Sequence, residues 1–388
     1  MVQRLGRTTR SPAPALHVAQ QPAPDARGAE PNDGNGVRLV YRRLVTALTA
    51  AGLLALAACS SGGNSTAGSG STAGSTTSTK KMVVGVSLAG YSTDFWAAYV
   101  KYEAQYAKQL GLTLNGPISA NGDAATQASQ IQTMINQHVN ALLVNPVDSA
   151  AISTSDALAA KAHIPVVMMD VGPTSGHIYA VVRANNVLIG QEACQYIGTK
   201  AHGTGTAAVL EGDLASINGL DRANGFINCM KQHFPKMKVL KYATLWDSTT
   251  AVNDAQTALR AYPDLKGIYS SFSGPDQGII AAMHSAGAQK RVVLVETDGV
   301  PAELGLIRAG QLNAAVSQPV NGYALYGLTY AKDAILGRPA PAVGTTTSHG
   351  SKIVNLNGSP EDALPSTFVI KSNVTTPTLW GNTYKSGS

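Results

Sequence analysis

From residue 81 to about residue 384, short runs of valine, isoleucine and leucine alternate with amphipathic stretches of 10 to 16 residues, a pattern that few folds satisfy. Short continuous apolar runs suit strands buried on both faces. Regular alternation of such strands with helices builds parallel sheet through βαβ units. The pattern predicts strands over 82–88, 141–144, 165–169, 206–210, 238–244, 267–270, 292–295 and 314–316. Helices are predicted over 95–110, 125–137, 150–161, 187–201, 220–233, 250–262, 277–286, 301–309 and 323–336. About 300 residues exceed one ordinary core, so two lobes are expected, each a doubly wound α/β sheet.

In open α/β sheets ligands bind beyond the carboxyl ends of the strands. Four predicted strands run into polar residues at that edge: Asn145, Asp170, Asp298 and Gln318. Taken singly, each has an ordinary role as turn or cap, since Asn145 precedes Pro146 and Asp298 begins an Asp-Gly turn. Together they offer carboxylates and amides, which suit hydroxyl-rich ligands because a carboxylate accepts charge-assisted bonds from neighbouring hydroxyls. Phe95 and Trp96 follow the first strand, and Trp246 follows the strand over 238–244. Flat side chains there can cover the apolar face of a sugar ring, or Phe95 and Trp96 can simply begin the apolar stripe of their helix.

Upstream of the folded region, residues 1–36 are rich in Pro, Ala, Arg and Gln without apolar periodicity, and read as disordered or as a mis-assigned start. Residues 37–58 have the layout of an export signal: Arg38, Arg42 and Arg43, then an apolar run from 44 to 58 too short to span a bilayer. Its ending, Leu56-Ala57-Ala58-Cys59, resembles the lipobox of bacterial lipoproteins, in which cleavage leaves a lipidated cysteine, here Cys59, as the first residue. Residues 59–80, nearly all Ser, Gly, Thr and Ala, read as a flexible tether. Loss of 1–58 leaves 22 Lys/Arg against 20 Asp/Glu, so the basic balance of the whole chain largely disappears and nucleic acid is not an expected partner.

Several segments together carry a family resemblance: Ala-Leu-Leu-Val-Asn-Pro-Val-Asp-Ser at 141–149, Ile-Pro-Val-Val-Met-Met-Asp at 164–170, Arg-Ala-Asn-Gly-Phe at 222–226, Glu-Thr-Asp-Gly at 296–299 and Val-Ser-Gln-Pro at 316–319. Over about 81–341 the chain resembles the ribose-type sugar-binding proteins of ATP-driven (ABC) importers, with the type I periplasmic binding protein fold. The resemblance implies ligand-binding roles for Thr93, Phe95, Trp96, Asn145, Asp170, Arg222, Trp246, Asp298 and Gln318. On residue type alone Arg222 would read as a solvated helix surface residue. The resemblance also implies three crossovers, near 184–185, 318–319 and 344–351, and hence discontinuous lobes at 81–184 with 319–347 and 185–318 with 348–384. A monosaccharide or polyol, ABC permease subunits and the membrane, reached through the lipid anchor, are the implied partners of an extracytoplasmic monomer without a cofactor. Two departures stand out: Val171 follows Asp170 where ribose binders carry an arginine, and the segment 271–275 lacks the asparagine usual there.

With Cys59 lipidated, Cys194 and Cys229 remain, and an even pair in an oxidising compartment reads either as a disulfide or as two buried thiols. Enzymatic motifs are missing: no Gly-x-Ser-x-Gly, His-Glu-x-x-His or phosphate loop occurs, and the histidines are too scattered for a metal cluster. Asp170 and Asp298 as a glycosidase pair, or a receptor docking to a membrane kinase or chemoreceptor, are the competing readings.

Overall fold

The computed structural model describes residues 81–90 and 93–385. The segments expected at 1–36, 37–58 and 59–80, including Cys59, lie outside the described residues. The chain first runs β1 (Val83–Leu88), α1 (Asp94–Leu110), β2 (Thr113–Ser119), α2 (Ala124–Asn136), β3 (Ala141–Val144), α3 (Ile152–Lys161), β4 (Val166–Met169) and β5 (Ala180–Ala184). It continues through α4 (Asn186–Lys200), β6 (Gly205–Leu210), α5 (Ile217–His233), β7 (Met237–Tyr242), α6 (Ser248–Ala261), β8 (Leu265–Ser270), α7 (Asp276–Ser285), β9 (Val293–Asp298), α8 (Pro301–Ala309) and β10 (Ala314–Ser317). The return comprises α9 (Val320–Ile335), β11 (Lys352–Leu356), β12 (Ser359–Leu364), β13 (Thr367–Val369) and α10 (Trp380–Thr383).

Two sheets result, ordered β11-β12-β5-β4-β3-β1-β2 and β13-β10-β9-β8-β6-β7. Each has a doubly wound parallel core, and each is made mixed by a short antiparallel addition, β11 on β12 and β13 on β10. The strands are apolar on both sides because both sides are covered. In β3, Ala141 and Leu143 join the core under α1 and α9, while Leu142 and Val144 join the core under α2 and α3. β6 repeats this: Ala207 and Val209 face α4 and α5, Ala208 and Leu210 face α6 and α7. Truncating any of the leucines to alanine should cost about 2–5 kcal/mol.

Polar residues end the strands and start the helices. Asp123, Asn185 and Asp247 cap α2, α4 and α6 through side-chain oxygens that accept from the backbone N–H three residues on. Helices α4 and α5 approach so closely that a methyl group on Gly190 would lie 2.1 Å from the Arg222 carbonyl oxygen, and one on Gly225 would lie 2.2 Å from that of Val187. Cys194 and Cys229 are joined by a disulfide between these two helices.

One boundary departs from the sequence expectation. The segment 348–384 was expected in the second lobe, yet β11 and β12 extend the first sheet, β12 lying parallel beside β5. The third crossover therefore falls at 365–366, between β12 and β13, and not at 344–351. The reason is polar: β12 carries Glu361 and Asp362, buried because Arg183 pairs with the first and Tyr330, His349 and Ser351 bond the second. Such a strand has no apolar run to announce it. β2 and β5 were also not anticipated as strands.

Candidate functional site

In both sheets the strand order reverses beside the first strand, between β1 and β3 and between β6 and β8, the position where an open α/β sheet leaves a crevice at its carboxyl edge. The two crevices face each other and enclose a cleft of about 660 Å³. All nine residues singled out in the sequence line it: Thr93, Phe95, Trp96, Asn145 and Asp170 from the first lobe, Arg222, Trp246 and Asp298 from the second, and Gln318 at the second crossover.

On the first-lobe wall, Asp170 follows β4 with φ 62° and Asn145 follows β3. Asn145 Nδ2 donates to Met169 O at 3.1 Å and to Asp170 Oδ2 at 3.2 Å, and its Oδ1 accepts from the Ala89 N–H at 3.3 Å. Its amide thus braces the ends of three strands as well as lining the cleft. Thr93 is the N-cap of α1, its hydroxyl oxygen accepting from the Trp96 N–H at 3.5 Å.

The second-lobe wall is organised by Arg222, which is buried in α5 and not solvated. Its Nε donates to Asn186 Oδ1 and its Nη1 to the Ser271 carbonyl, both at 2.7 Å, leaving Nη1 at 4.0 Å from Asp298 Oδ1. Asp298 has φ 126°, a strained value for a non-glycine residue. Its Oδ2 accepts from Ser273 N at 2.9 Å and Oγ at 2.7 Å, and its Oδ1 accepts from Gln318 Nε2 at 2.6 Å. Gln318 Oε1 in turn accepts from Tyr323 Oη, which accepts from Ala184 N, so one chain of bonds links Asp298 to the first and second crossovers.

Aromatic rings form the sides. Trp246, at φ 59°, stands edge-on to Phe272 with centroids 5.5 Å apart and lies 5.9 Å from the Arg222 guanidinium. Gly212 makes this placement possible: at φ 72° it has no Cβ, and one there would stand 2.3 Å from the indole ring. Opposite, Trp96 and Phe95 meet edge-on at 5.5 Å, with Phe95 also packed on Tyr99 and Trp380. Phe95 therefore serves both roles considered for it, core residue and cleft wall.

Four polar residues escaped the sequence reading. Asn218 Nδ2 reaches across from α5 to Asp170 Oδ1 and O, 3.0 Å each, and its Oδ1 accepts from Asn186 Nδ2. Asn186 and Ser271 hold Arg222, and Ser273 holds Asp298. A signal existed for Asn218, which precedes Arg222 by four residues and so shares its helix face. Asn186 had none, because the cleft residues it joins, Asn218 and Arg222, are more than 30 residues away in sequence.

Burial pushes the Asp170 carboxyl up to about 6, against the opposing pull of the Arg222 guanidinium. Asp298 is likewise raised by burial, with Arg222 and the Ser273 and Gln318 bonds opposing. The cleft therefore holds donors and acceptors fixed in position, half-buried aromatic faces and carboxyls sensitive to what occupies it. Such an arrangement binds a polar ligand by hydrogen bonds from two sides.

Comparison with known proteins identifies the family. The family described as the periplasmic binding protein domain matches residues 84–339, and the chain belongs to it. It is similar to a ribose import binding protein of Bacillus subtilis, 27% identical over 275 residues, covering 71% of this chain and 84% of that protein. A D-allose-binding periplasmic protein of Escherichia coli is 28% identical over 259 residues, 64% of this chain and 83% of its own. Among solved structures, a myo-inositol-bound ABC transporter solute-binding protein of Bacillus halodurans superposes with a TM-score of 0.68 at 19% identity, covering 78% of this chain and 98% of that one.

Proposed function

We propose that this member of the periplasmic binding protein family is an extracytoplasmic, lipid-anchored receptor that captures a monosaccharide or polyol between its lobes and delivers it to an ABC importer. The observation that carries the reading is the convergence of Asp170, Arg222, Asp298 and Gln318 with Trp96 and Trp246 on one cleft between two sheets. Hydroxyls of such a ligand donate to the carboxylates and accept from Arg222, while a ring or carbon chain lies against the indoles. The names of the ribose- and allose-binding relatives support this ligand class. Closing the lobes around the ligand removes water, which strengthens each bond and presents one joined surface to a permease.

The same chemistry serves a sensory receptor, and the docking partner separates the two: a pull-down that retains permease subunits supports transport, one that retains a kinase or chemoreceptor defeats it. The ligand class is tested by a thermal-shift panel of pentoses, hexoses, polyols, nucleosides and amino acids. A ligand at about 100 times its dissociation constant adds about 2.7 kcal/mol of stability. A response confined to nucleosides or amino acids refutes the reading, and so does release of a hydrolysed sugar, which would mark a glycosidase. Lipid anchoring at Cys59 predicts that Cys59→Ala abolishes partition into detergent phase.

A further inference from the structure

The charges around the cleft do not balance. Asp170 and Asp298 are both more than nine-tenths buried, whereas Arg222 is the one cationic side chain among the described residues lining the cleft. Arg222 is committed to the other wall: it bonds Asn186 and the Ser271 carbonyl and faces Asp298 at 4.0 Å. Asp298 is further satisfied by Ser273 and Gln318. Asp170 receives only amide N–H groups, Asn145 Nδ2 at 3.2 Å and Asn218 Nδ2 at 3.0 Å. Among the described residues, no cationic nitrogen comes within 4.0 Å of it. Beside it in the lining stands Val171, which offers no polar atom.

Enclosing a carboxylate in a cleft from which a ligand expels the remaining water costs several kcal/mol unless a positive charge accompanies it. Amide donors recover part of that cost, and an ammonium group adds the attraction of a full opposite charge, which amides lack. We propose that the ligand itself brings the missing positive charge: an amine-bearing sugar or polyol, its ammonium group against Asp170 and its hydroxyls toward Asp298, Arg222 and Gln318. This rests on the sugar-receptor reading above and narrows it. Burial raises the Asp170 carboxyl to about 6 although Arg222 and, more weakly, Arg183 pull it down and Asp298 pushes it up, so the two guanidiniums offset its burial only in part. Val171, buried in the lining beside Asp170, supplies no cation of the protein's own there.

Calorimetry on the purified protein at about pH 7.5 decides it, using matched pairs: 2-amino-2-deoxyhexoses against the parent hexoses, and 1-amino-1-deoxyalditols against the parent alditols. The amine of at least one pair binds roughly tenfold or more tighter than its hydroxyl counterpart. That preference collapses in Asp170→Asn, and it shrinks as the pH falls toward about 5 and Asp170 takes up its proton. Val171→Arg supplies the cation from the protein and turns the preference toward the hydroxyl member, a readout that does not depend on how Asp170→Asn folds. Hydroxyl compounds binding as tightly as their amines overturn the charge inference and leave the sugar receptor standing. No binding by either series also overturns the charge inference, and the receptor reading then stands or falls on the thermal-shift panel with its pentoses.

Discussion

Arg183 at the end of β5 donates to Asp221 of α5 at 2.6 Å, joining the first lobe to the second one residue before the cleft's Arg222. The side chain is 2% exposed and its other terminal nitrogen has Glu361 of β12 at 3.9 Å, so it is held by one carboxylate from each lobe. Nearby, Ser149 Oγ accepts from the Ile217 N–H at 3.1 Å and Asn218 bonds Asp170, so the first turns of α5 are clasped by the first lobe.

Removing the charge with Asp221→Asn should therefore loosen the lobes. Asp221 is itself partly exposed and Glu361 remains, so the expected loss is about 1–3 kcal/mol, below that of a fully buried pair. Urea unfolding measures the stability, and small-angle scattering should show a larger radius of gyration without ligand. An unchanged radius and midpoint would remove the clasp from the account.

Asp298→Ala should weaken ligand binding by roughly 2–4 kcal/mol, because it leaves ligand hydroxyls, Ser273 and Gln318 without their acceptor. Arg222 needs a milder change, since it also holds the Ser271 carbonyl and Asn186. Arg222→Lys should cost at least about tenfold in affinity by losing the planar fork. Calorimetry against the panel ligand reads both, and wild-type affinity in the pair would refute the assigned cleft.

Gly212→Ala should act on Trp246 without touching a polar group. The new methyl would overlap the indole, and the positive φ of 72° is itself unfavourable for alanine. Affinity should fall, and the change in tryptophan emission on ligand addition should shrink relative to wild type. An identical emission response in the variant would count against Trp246 as a cleft wall.

Stability should decline as pH rises. Glu103 in α1 is fully buried with neither carboxyl oxygen bonded, and burial pushes it up to about 8. Asp156 and Glu192 are raised by burial to about 7. Each holds its proton to higher pH folded than unfolded, so its contribution is complete below the unfolded values of about 4 to 4.5 and is lost as pH rises through the folded ones. Melting temperature should fall between about pH 5 and pH 8, and Glu103→Gln should flatten that slope. A wild-type curve that rises over this window would contradict the buried carboxyls.

Cutting the disulfide with Cys194→Ser should destabilise the protein by about 4 kcal/mol, the loop-entropy value for a closure spanning 35 residues. Non-reducing mass spectrometry of exported protein should recover the Cys194 and Cys229 peptides linked. Two alkylatable thiols would refute the bond.

Much of this molecule could be read before it was folded. Strands of the Ala141–Val144 kind are apolar on both faces because helices cover both, and that demand is written directly into composition. Strand ends mark the cleft edge by the same logic, so Asn145, Asp170, Asp298 and Gln318 could be placed from their positions alone. Two of the hidden parts, β12 and the Asn218–Asp170 contact, share one property: their burial is balanced by a distant polar partner. β12 sits beside β5 through Arg183 and Glu361, which no local pattern connects.

Local periodicity and strand-end chemistry therefore determined the two α/β lobes and the edge on which a ligand would sit, since apolar burial and backbone geometry act over a few residues at a time. Only the tertiary structure decided that β11 and β12 return to the first sheet, that Arg222 turns inward onto Ser271 and Asp298, and that Asn218 crosses to Asp170. Those outcomes depend on pairing polar groups dozens of residues apart, where burying either partner alone costs more than the sequence around it can repay.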